Sequence, residues 1–456
     1  MENTSVERIR EIRERQGRFF RSGETLDVKW RLERLKAFEA AVRKWEKPLC
    51  EALWTDLHKS YEEAYLTEVS LLLGEIRSHI HNLRKWSRPK RVSTPLKMFP
   101  SRSRIVSEPL GTALIIAPWN YPVQLLLTPL VGAISSGCTA VLKPSPYVPN
   151  VSKVTRQLIE DTFNDEYIAV VQGNRDVNAA LLEERWDLIF FTGSPALGKI
   201  VMGAAARNLT PVVLELGGKS PCIVDKDADI KTAARRIAWG KSLNAGQTCI
   251  APDYLMLHED IKDVFLKELE LNFKELLGNN PQETKHFVRI VNDKAFDRLE
   301  GYLKDGKVVS GGRTDKSDRY FEPTVLDDVP QDATVMNEEI FGPIFPVRTF
   351  KEIDEVISYV VSREKPLALY YFGGQGDKVL RHTSSGGACI NDTIMHIANE
   401  NVPFGGVGNS GLGSYHKKRS FDAFTHYRAV ITTPTFLDLP FRYMPYRFFN
   451  LVKKLL

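Results

Sequence analysis

Three residues of the sequence have the chemical types that a reaction at a carbonyl group requires. Cys249 in NAGQTCIAP offers a nucleophilic thiol, Glu215 in ELGGKSP a carboxylate base, and Asn120 in APWNYP an amide that can donate to an oxyanion. Taken alone, Cys249 is better explained as a small buried residue, because free cysteine packs like a small apolar side chain. The three residues together predict a centre for acyl-type chemistry.

The segments around Glu215 and Asn120 support that prediction. Glu215 ends the apolar run PVVLEL, where a carboxylate is unfavourable unless it has a function. Asn120 follows the apolar run TALIIAP, so its amide is expected beyond the end of a strand, pointing into a cleft. Both residues are therefore predicted at the ends of strands, where ligands bind in open α/β sheets.

The elements that must position these residues are helices first, and then alternating strands and helices. Residues 5–86 carry apolar side chains at helical spacing, as in LERLKAFEAAVRKW. From about Ile105 onward, short apolar runs such as TAVLKPS and LIFFTGS end at Gly, Pro or Ser and alternate with helix-length segments. This alternation predicts a doubly wound α/β domain.

A second α/β unit is predicted from about residue 215 to 412. It begins with a helix in DIKTAARRIAWGKSLNAG and a strand in YLMLHE, and its later strands are in FPVRTF and LALYYF. The segment 87–105 is rich in Arg and Pro and is interpreted as an excursion between domains.

Composition and charge argue against several other classes of protein. A chain of 456 residues is longer than a single hydrophobic core usually supports, so that more than one domain is expected. Its contents of 43% hydrophobic and 26% charged residues are ordinary for a globular protein. A net charge of +5, spread over 62 basic and 57 acidic residues, predicts no nucleic-acid partner. Five cysteines without paired spacing indicate a reducing compartment, and the scattered histidines predict no metal site. The charged N-terminus predicts no cleaved signal peptide, and the apolar runs are too short to predict a membrane span.

Two generic nucleotide-binding patterns are rejected. Gly193–Lys199 (GSPALGK) has P-loop spacing, but Ile200 occupies the position of the Ser or Thr that binds magnesium. The pattern GVGNSG at residues 406–411 has no strand before it, so a glycine-rich turn is favoured. A P-loop nucleotide hydrolase therefore stays a minor alternative.

Seven motifs, in their order along the chain, resemble those of the aldehyde dehydrogenase superfamily. They are APWNYP, KPS, FTGS, ELGGKSP, NAGQTC, EEIFGP and PFGG. The segments NAGQTCIAPDY, VRIVN and PFGGVGNSGLGSYHKKRSFDAFTH are most similar to class 3 members, and the resemblance covers essentially residues 5–434. It implies two Rossmann-like α/β domains, one cofactor-binding and one catalytic, with a small bridging element for oligomerisation.

The resemblance implies a role for each residue of the reaction centre. Cys249 would attack the aldehyde carbon, while the Asn120 amide and the Cys249 backbone N–H bind the oxyanion. Hydride transfer to a nicotinamide would leave a thioester, and Glu215 would activate the water that hydrolyses it. Lys219 in ELGGKSP is expected to hold the glutamate loop.

The resemblance also implies a set of residues that bind the cofactor. Lys143 in KPS would contact the adenosine ribose, and Gly193 and Ser194 in FTGS would bind the pyrophosphate at a helix N-terminus. Glu339 in EEIFGP would bind the nicotinamide ribose, with Phe341 beside it.

Two further positions concern the same cofactor groove. Gly173 in VVQGN is expected to line it. Many relatives have KPSE where this chain has KPSP, so that Pro146 replaces an acid that binds the adenosine ribose. The loss of that carboxylate removes its repulsion of a 2′-phosphate, and both NAD and NADP are therefore expected as cofactors.

The implied subunit has six segments. The segments are the N-terminal helices 1–86, a bridging element 87–105, the dinucleotide-binding domain 106–214, the catalytic domain 215–412, a bridging and oligomerisation element 413–434, and a tail 435–456. The tail is aromatic and basic, and it is expected to pack on the subunit or its dimer, or to contact a membrane surface peripherally.

The implied function is oxidation of a medium- or long-chain aliphatic or aromatic aldehyde by a cytoplasmic homodimer. One alternative is a reductase of the same fold that passes a thioester to coenzyme A; Glu215 argues against it, because a hydrolytic base would waste the thioester. The other alternative is a non-catalytic relative of the same fold. Such a protein would be expected to lack one of Cys249, Asn120, Glu215 or Glu339.

Overall fold

The structure, a computed structural model, describes residues 2–399 and 401–455, so that Met1, Glu400 and Leu456 lie outside the described residues. Its helices, in chain order, are α1 (Val6–Ser22), α2 (Val28–Leu57), α3 (Tyr61–Ala64), α4 (Ser70–Trp86), α5 (Gln124–Ser136), α6 (Pro149–Thr162), α7 (Arg175–Glu183), α8 (Pro195–Ala206), α9 (Ile230–Ser242), α10 (Lys262–Leu277), α11 (Asp293–Tyr302), α12 (Thr334–Asn337), α13 (Ile353–Val361), α14 (Gly376–His382), α15 (Lys418–Ala423) and α16 (Phe449–Leu455).

The strands form two large sheets and two small ones. In chain order they are β1 (Lys90–Val92), β2 (Arg102–Pro109), β3 (Thr112–Ile116), β4 (Thr139–Lys143), β5 (Ile168–Val170), β6 (Leu188–Thr192), β7 (Val212–Glu215), β8 (Pro221–Val224), β9 (Tyr254–His258), β10 (Lys307–Ser310), β11 (Thr314–Asp315), β12 (Tyr320–Phe321), β13 (Thr324–Asp327), β14 (Ile344–Phe350), β15 (Ala368–Phe372), β16 (Gly387–Ile390), β17 (Gly411–Leu412) and β18 (Thr425–Thr432).

The N-terminal segment is helical, as its apolar spacing predicted. Ser5 caps α1 by accepting a hydrogen bond from the Arg8 amide, and Asp27 caps α2 in the same way. Between α3 and α4 the helix makes one π turn over Tyr65–Val69. The apolar faces of α2 and α4 pack into the core that also contains β3 and β4.

The first large sheet has the order β17-β7-β6-β3-β4-β5. Its strands run parallel except β17, which is antiparallel to β7. Every residue of β3, β4 and β6 is buried, because helices cover both faces of the sheet. The continuous apolar runs of the sequence therefore predicted these strands correctly, and the doubly wound architecture is confirmed.

The second large sheet has the order β10-β13-β14-β9-β8-β15-β16, and only β10 runs antiparallel to its neighbour. The helix predicted over residues 229–246 is shorter than expected and ends at Ser242. Asn244 and Ala245 have left-handed backbone, with φ of 51° and 52°. A right-handed α-helix cannot continue through residues in this conformation. Contacts distant in sequence hold this loop, so the local pattern could not predict the break.

The third sheet joins β1, β2 and β18 and contains the two segments predicted as a bridging element. Its main pairing runs from Arg102 opposite Thr432 to Pro109 opposite Thr425. Residues 411–412, assigned by sequence to the second unit, instead pair with β7 of the first sheet. Helix α15 packs on α5 and buries Phe421. The remaining domain limits stay predictions.

Candidate active site

The three residues predicted to react lie at the end of a strand or in the segments that connect strands and helices. Asn120 lies in the turn between β3 and α5, and Glu215 is the last residue of β7, two strands away in the same sheet. Cys249 lies in the loop between α9 and β9 of the second sheet. Ligands bind beyond the carboxyl ends of strands in such sheets, and the first two residues occupy that position.

The loop that carries Cys249 is fixed by a buried amide, Gln247. The Gln247 side chain donates to the backbone oxygens of Asn244 and Arg289, each at 3.1 Å, and accepts from the Val291 amide at 3.1 Å. These bonds join the loop to residues 289–291, which belong to the VRIVN motif. The left-handed residues of the loop are therefore held by tertiary contacts, as strained backbone at functional sites commonly is.

Asn120 is tied directly to that loop. Its Nδ2 donates to the backbone oxygen of Gln247 at 3.1 Å, while its Oδ1 has no hydrogen-bond partner among the described residues. Tyr121, the next residue, bonds through its hydroxyl to the Thr248 Oγ1 at 2.7 Å. The bond to Gln247 uses one of the two N–H groups of the Asn120 amide.

Glu215 is a buried carboxyl group without a partner. It is 3% exposed, and neither carboxylate oxygen has a hydrogen-bond partner among the described residues. Burial raises the pKa of Glu215 well above its ordinary value, because no donor or cation compensates the lost hydration. Once ionised, a carboxylate with a raised pKa is a stronger base toward a water molecule than an ordinary glutamate.

The Cys249 thiol is half-buried and lies within electrostatic range of two carboxylates. Burial, together with the negative charges of Glu339 and Glu215, raises its pKa to about 12. Burial raises the pKa of the Tyr415 phenol, and the charges of Glu215 and Cys249 act in the same direction. The nucleophile and the base predicted from sequence are therefore within electrostatic range of each other.

A second cluster holds the loop that contains Glu339. The Lys219 ammonium forms an ion pair with Asp253 and donates to the backbone oxygen of Glu338 at 2.8 Å. The other oxygen of Asp253 accepts from the Ile340 amide at 2.9 Å. Lys219 thus has the structural position expected for it, and Asp253 links the cysteine loop to the Glu339 loop.

Glu339 lies at one wall of a cavity of about 810 Å³. Burial raises its pKa to about 8, and Asp253 contributes, while the Gly218 N–H lowers it. Ser194 lines the same cavity and caps α8, a helix of 12 residues, by accepting from the Leu197 amide. Lys219 and Arg363 also line it, as does Glu364, so that groups of both charges face the cavity.

A comparison with known proteins decides the family. The model of the aldehyde dehydrogenase family matches residues 1–430. The chain belongs to the aldehyde dehydrogenase family. The predicted family is confirmed, and the reaction is the NAD- or NADP-dependent oxidation of an aldehyde to the carboxylic acid.

Individual relatives extend over nearly the whole of this aldehyde dehydrogenase. It is 46% identical over 434 residues to the 4,4'-diaponeurosporen-aldehyde dehydrogenase of Staphylococcus aureus, covering 94% of this chain and 95% of the relative. Identity to the dimeric NADP-preferring aldehyde dehydrogenase of Canis lupus familiaris is 41% over 446 residues, covering 96% and 98%. The structure described as the substrate-bound state of Staphylococcus aureus AldH superposes with a TM-score of 0.96 at 45% identity, covering 98% and 99%.

The described residues of the aldehyde dehydrogenase fit a dinucleotide in part of the predicted groove. The N-terminus of α8 at Ser194 suits a pyrophosphate, and the Glu339 carboxylate, which lines the same cavity, suits ribose hydroxyls. Gly193 adjoins Ser194, and its amide donates to the backbone oxygen of Glu215 at 3.0 Å. The cavity and these groups together are compatible with the cofactor of the family.

The other predicted cofactor residues do not line that cavity. Lys143 is buried at the end of β4, where its ammonium donates to the Pro144 oxygen at 2.9 Å, and burial lowers its pKa to about 8. Gly173 has φ of 146°, and a side chain there would meet Val177. Phe341 has left-handed backbone, and its ring packs edge-on against Trp119 with centroids 5.4 Å apart.

Several described residues fix the reactive groups without reacting themselves, and these were not predicted from the sequence. Gln247 and Asn244 lie inside the NAGQTC motif, and both are fully buried. Asp253 follows the same motif. The available signal was the presence of polar side chains in a segment expected to be buried, since buried amides must find hydrogen-bond partners.

Proposed function

We propose that Cys249 is the nucleophile, Asn120 the oxyanion donor and Glu215 the base of this aldehyde dehydrogenase. The observation that carries the proposal is the convergence of the three groups. The Asn120 amide is bonded to the loop of Cys249, and the unpartnered Glu215 carboxyl acts electrostatically on the thiol. Nucleophile, base and oxyanion donor are the parts that carbonyl chemistry of this kind requires.

The reaction begins with bond formation between the Cys249 sulfur and the aldehyde carbon. Because burial raises the thiol pKa to about 12, its proton must leave as the bond forms, either directly to solvent or by way of the Glu215 carboxylate. The carbonyl oxygen becomes an oxyanion that accepts from the Asn120 Nδ2 and from the Cys249 backbone N–H. The nicotinamide cofactor, when bound, supplies a hydride acceptor, which leaves a thioester on Cys249.

Glu215 releases to solvent any proton that it took from the thiol, and as an ionised carboxylate it then acts on the thioester. It removes a proton from a water molecule, whose oxygen adds to the acyl carbon, and the C–S bond breaks to release the acid and the Cys249 thiolate. The ionised carboxylate is the active form of the base, and burial shifts its pKa upward. Turnover limited by this step therefore rises with pH above the ordinary range of a glutamate.

The proposed cofactor contacts follow the walls of the 810 Å³ cavity and its surroundings. Ser194 and Gly193 bind the pyrophosphate, Glu339 binds the nicotinamide ribose, and Phe341 lies beside it. Lys143 contacts the adenosine ribose, and Gly173 lines the adjoining groove. With Pro146 in place of an acidic residue, no charge at that position repels a 2′-phosphate, so we propose that NADP is accepted as well as NAD.

The variant Gly217→Ala tests the role of Glu339 without altering that residue. A Cβ at Gly217 would lie 2.2 Å from the Glu339 Oε2, so the flexible carboxylate must move while the backbone stays in place. We expect the KM for NAD or NADP to rise about tenfold, the effect of losing one hydrogen bond to a charged group. Gly203→Ala is the matched control, because nothing lies within 4 Å of its added Cβ. Equal KM values for both variants would contradict the role of Glu339.

We propose that the substrate is a medium- or long-chain aliphatic or an aromatic aldehyde. The relative named for 4,4'-diaponeurosporen-aldehyde supports a large apolar substrate. A panel of aldehydes from acetaldehyde to long-chain and aromatic members, each with NAD and with NADP, tests this. We expect kcat/KM to rise by at least about tenfold with chain length, because each buried methylene contributes about 0.8 kcal/mol. A preference for acetaldehyde would contradict the proposed substrate class but not the reaction.

The assembly proposed for the enzyme is a cytoplasmic homodimer. A relative named as dimeric supports the dimer, and the exposed face of β18 is available for it. No helix among residues 2–399 and 401–455 is long and apolar enough to cross a membrane. We propose peripheral membrane contact through the tail 435–456, in which Phe436 and Met444 are mostly exposed. Sedimentation of the full chain and of a chain ending at residue 434, with and without anionic vesicles, tests both proposals.

A further inference from the structure

A fully buried ion pair lies directly behind the oxyanion donor. The Lys59 ammonium is 2.7 Å from the Glu68 Oε1, and both side chains are 0% exposed. Removing two charges from water is unfavourable, and a buried pair is often no more stabilising than apolar residues of the same volume. Its presence beside Asn120 therefore calls for an explanation other than stability.

Each member of the pair contacts the segment that contains Asn120. The Lys59 ammonium donates to the Asn120 backbone oxygen at 3.1 Å and lies 4.2 Å from the centre of the Tyr121 ring. The second oxygen of Glu68 accepts from the Val123 amide at 2.8 Å and from the Gln124 amide at 3.3 Å. The pair therefore holds residues 120–124 from both ends of the turn.

Glu68 reaches this turn from the π segment Tyr65–Val69. A π turn inserts one residue into a helix, and such turns occur frequently at functional sites. Glu63, on the preceding turn of the same helix, accepts from the Asn244 backbone amide at 2.8 Å. One helix thus contacts the oxyanion turn through Glu68 and the cysteine loop through Glu63.

The two loops also meet at one atom. The Asn120 backbone oxygen accepts from Lys59 at 3.1 Å and from the Asn244 side-chain amide at 3.1 Å. A carbonyl held by two donors, one of them charged, fixes the orientation of its residue more closely than a single bond does. The position of the Asn120 side chain follows from the orientation of this backbone.

We propose that Lys59 and Glu68 are positioning residues that hold the Asn120 amide at a fixed position relative to the Cys249 thiol. This inference rests on the proposed function, in which Asn120 binds the oxyanion. The pair acts through Asn120 and touches neither substrate nor cofactor. A displacement of about 1 Å at such a donor slows a reaction about 100-fold, so the pair is expected to affect rate more than folding.

The test is a double-mutant cycle between the pair and Asn120. The variant Lys59→Met/Glu68→Gln removes both charges at nearly constant volume. We expect its burst of reduced cofactor, measured by rapid mixing, to slow about 10- to 100-fold, while the KM for cofactor changes less than twofold. In the background of Asn120→Ala, which itself slows the burst, the same double change should slow it less than about threefold further.

The controls separate the possible outcomes. Lys262→Met/Asp327→Asn neutralises a partly buried pair whose groups are 2.6 Å apart in the second α/β unit, and it should leave the burst rate unchanged. Glu68→Asp keeps both charges but shortens the carboxylate, so a slowed burst with an unchanged Tm supports positioning even if the double variant folds poorly. Additive losses in the cycle, or a normal burst in both pair variants, would overturn the inference. An unaffected burst in Asn120→Ala would instead refute the proposed role of Asn120 itself.

Discussion

Replacing Cys249 with alanine is expected to abolish aldehyde oxidation while leaving the cofactor bound. The substitution removes the sulfur whose single C–S bond holds both covalent intermediates, and no other described side chain in the site offers a comparable nucleophile. We expect steady-state formation of reduced cofactor to fall by about 10⁴-fold or more, as it does when the nucleophile of a covalent enzyme is removed. The thiol is half-buried, so the loss of one sulfur atom leaves little void.

Cys389→Ala is the matched control for this prediction. Cys389 is the other half-buried cysteine among the described residues, and its sulfur contacts the His396 Nδ1 at 3.4 Å. Its replacement should leave turnover within about twofold, and cofactor affinity measured by titration should be unchanged in both variants. Residual turnover above about a tenth of wild type in Cys249→Ala would show that another group is the nucleophile.

Replacing Glu215 with glutamine should separate the two halves of the reaction. Acyl formation can still occur once the thiol has lost its proton to solvent, whereas hydrolysis loses its general base. We expect one equivalent of reduced cofactor to form in a burst, followed by turnover about 10³-fold slower than wild type, within the range for removal of such a base. Rapid mixing with an aldehyde of the preferred length measures both phases.

The pH dependence provides an independent check on Glu215. Burial raises the pKa of Glu215 in the folded protein, so its protonated form is favoured by folding and the associated stability is lost as pH rises through the raised value. Glu215→Gln cannot ionise, and its Tm should exceed that of wild type on the alkaline side more than on the acid side. Wild-type turnover should rise with pH where that of the variant does not. Parallel pH profiles would contradict the assignment of the base.

The sequence predicted the strands correctly, and it led to the proposed reactive residues, because local patterns carry information on both. Continuous apolar runs place β3, β4 and β6 in a doubly covered sheet, and Glu215 ends the apolar run of β7. Motifs such as NAGQTC and ELGGKSP name residue types whose chemistry is specific. The family and its reaction follow from these segments together.

The residues that position the site could not be predicted from local sequence patterns. Asn120 meets the loop of Gln247 although 127 residues separate them in sequence. Lys59 and Glu68 lie in ordinary helical sequence, where a solvated charge is the usual expectation, and only tertiary packing buries them. For the same reason the early end of α9 and the pairing of β17 with β7 were not predicted.

The central claim is that aldehyde oxidation proceeds through an acyl group on Cys249 that Glu215 hydrolyses. Its most direct test is mass spectrometry of Glu215→Gln, quenched in acid after mixing with aldehyde and cofactor, with digestion to locate the added mass. We predict one acyl group per chain on the peptide that contains Cys249, formed together with the burst of reduced cofactor. Full turnover without an adduct, or an adduct on another residue, would contradict the account.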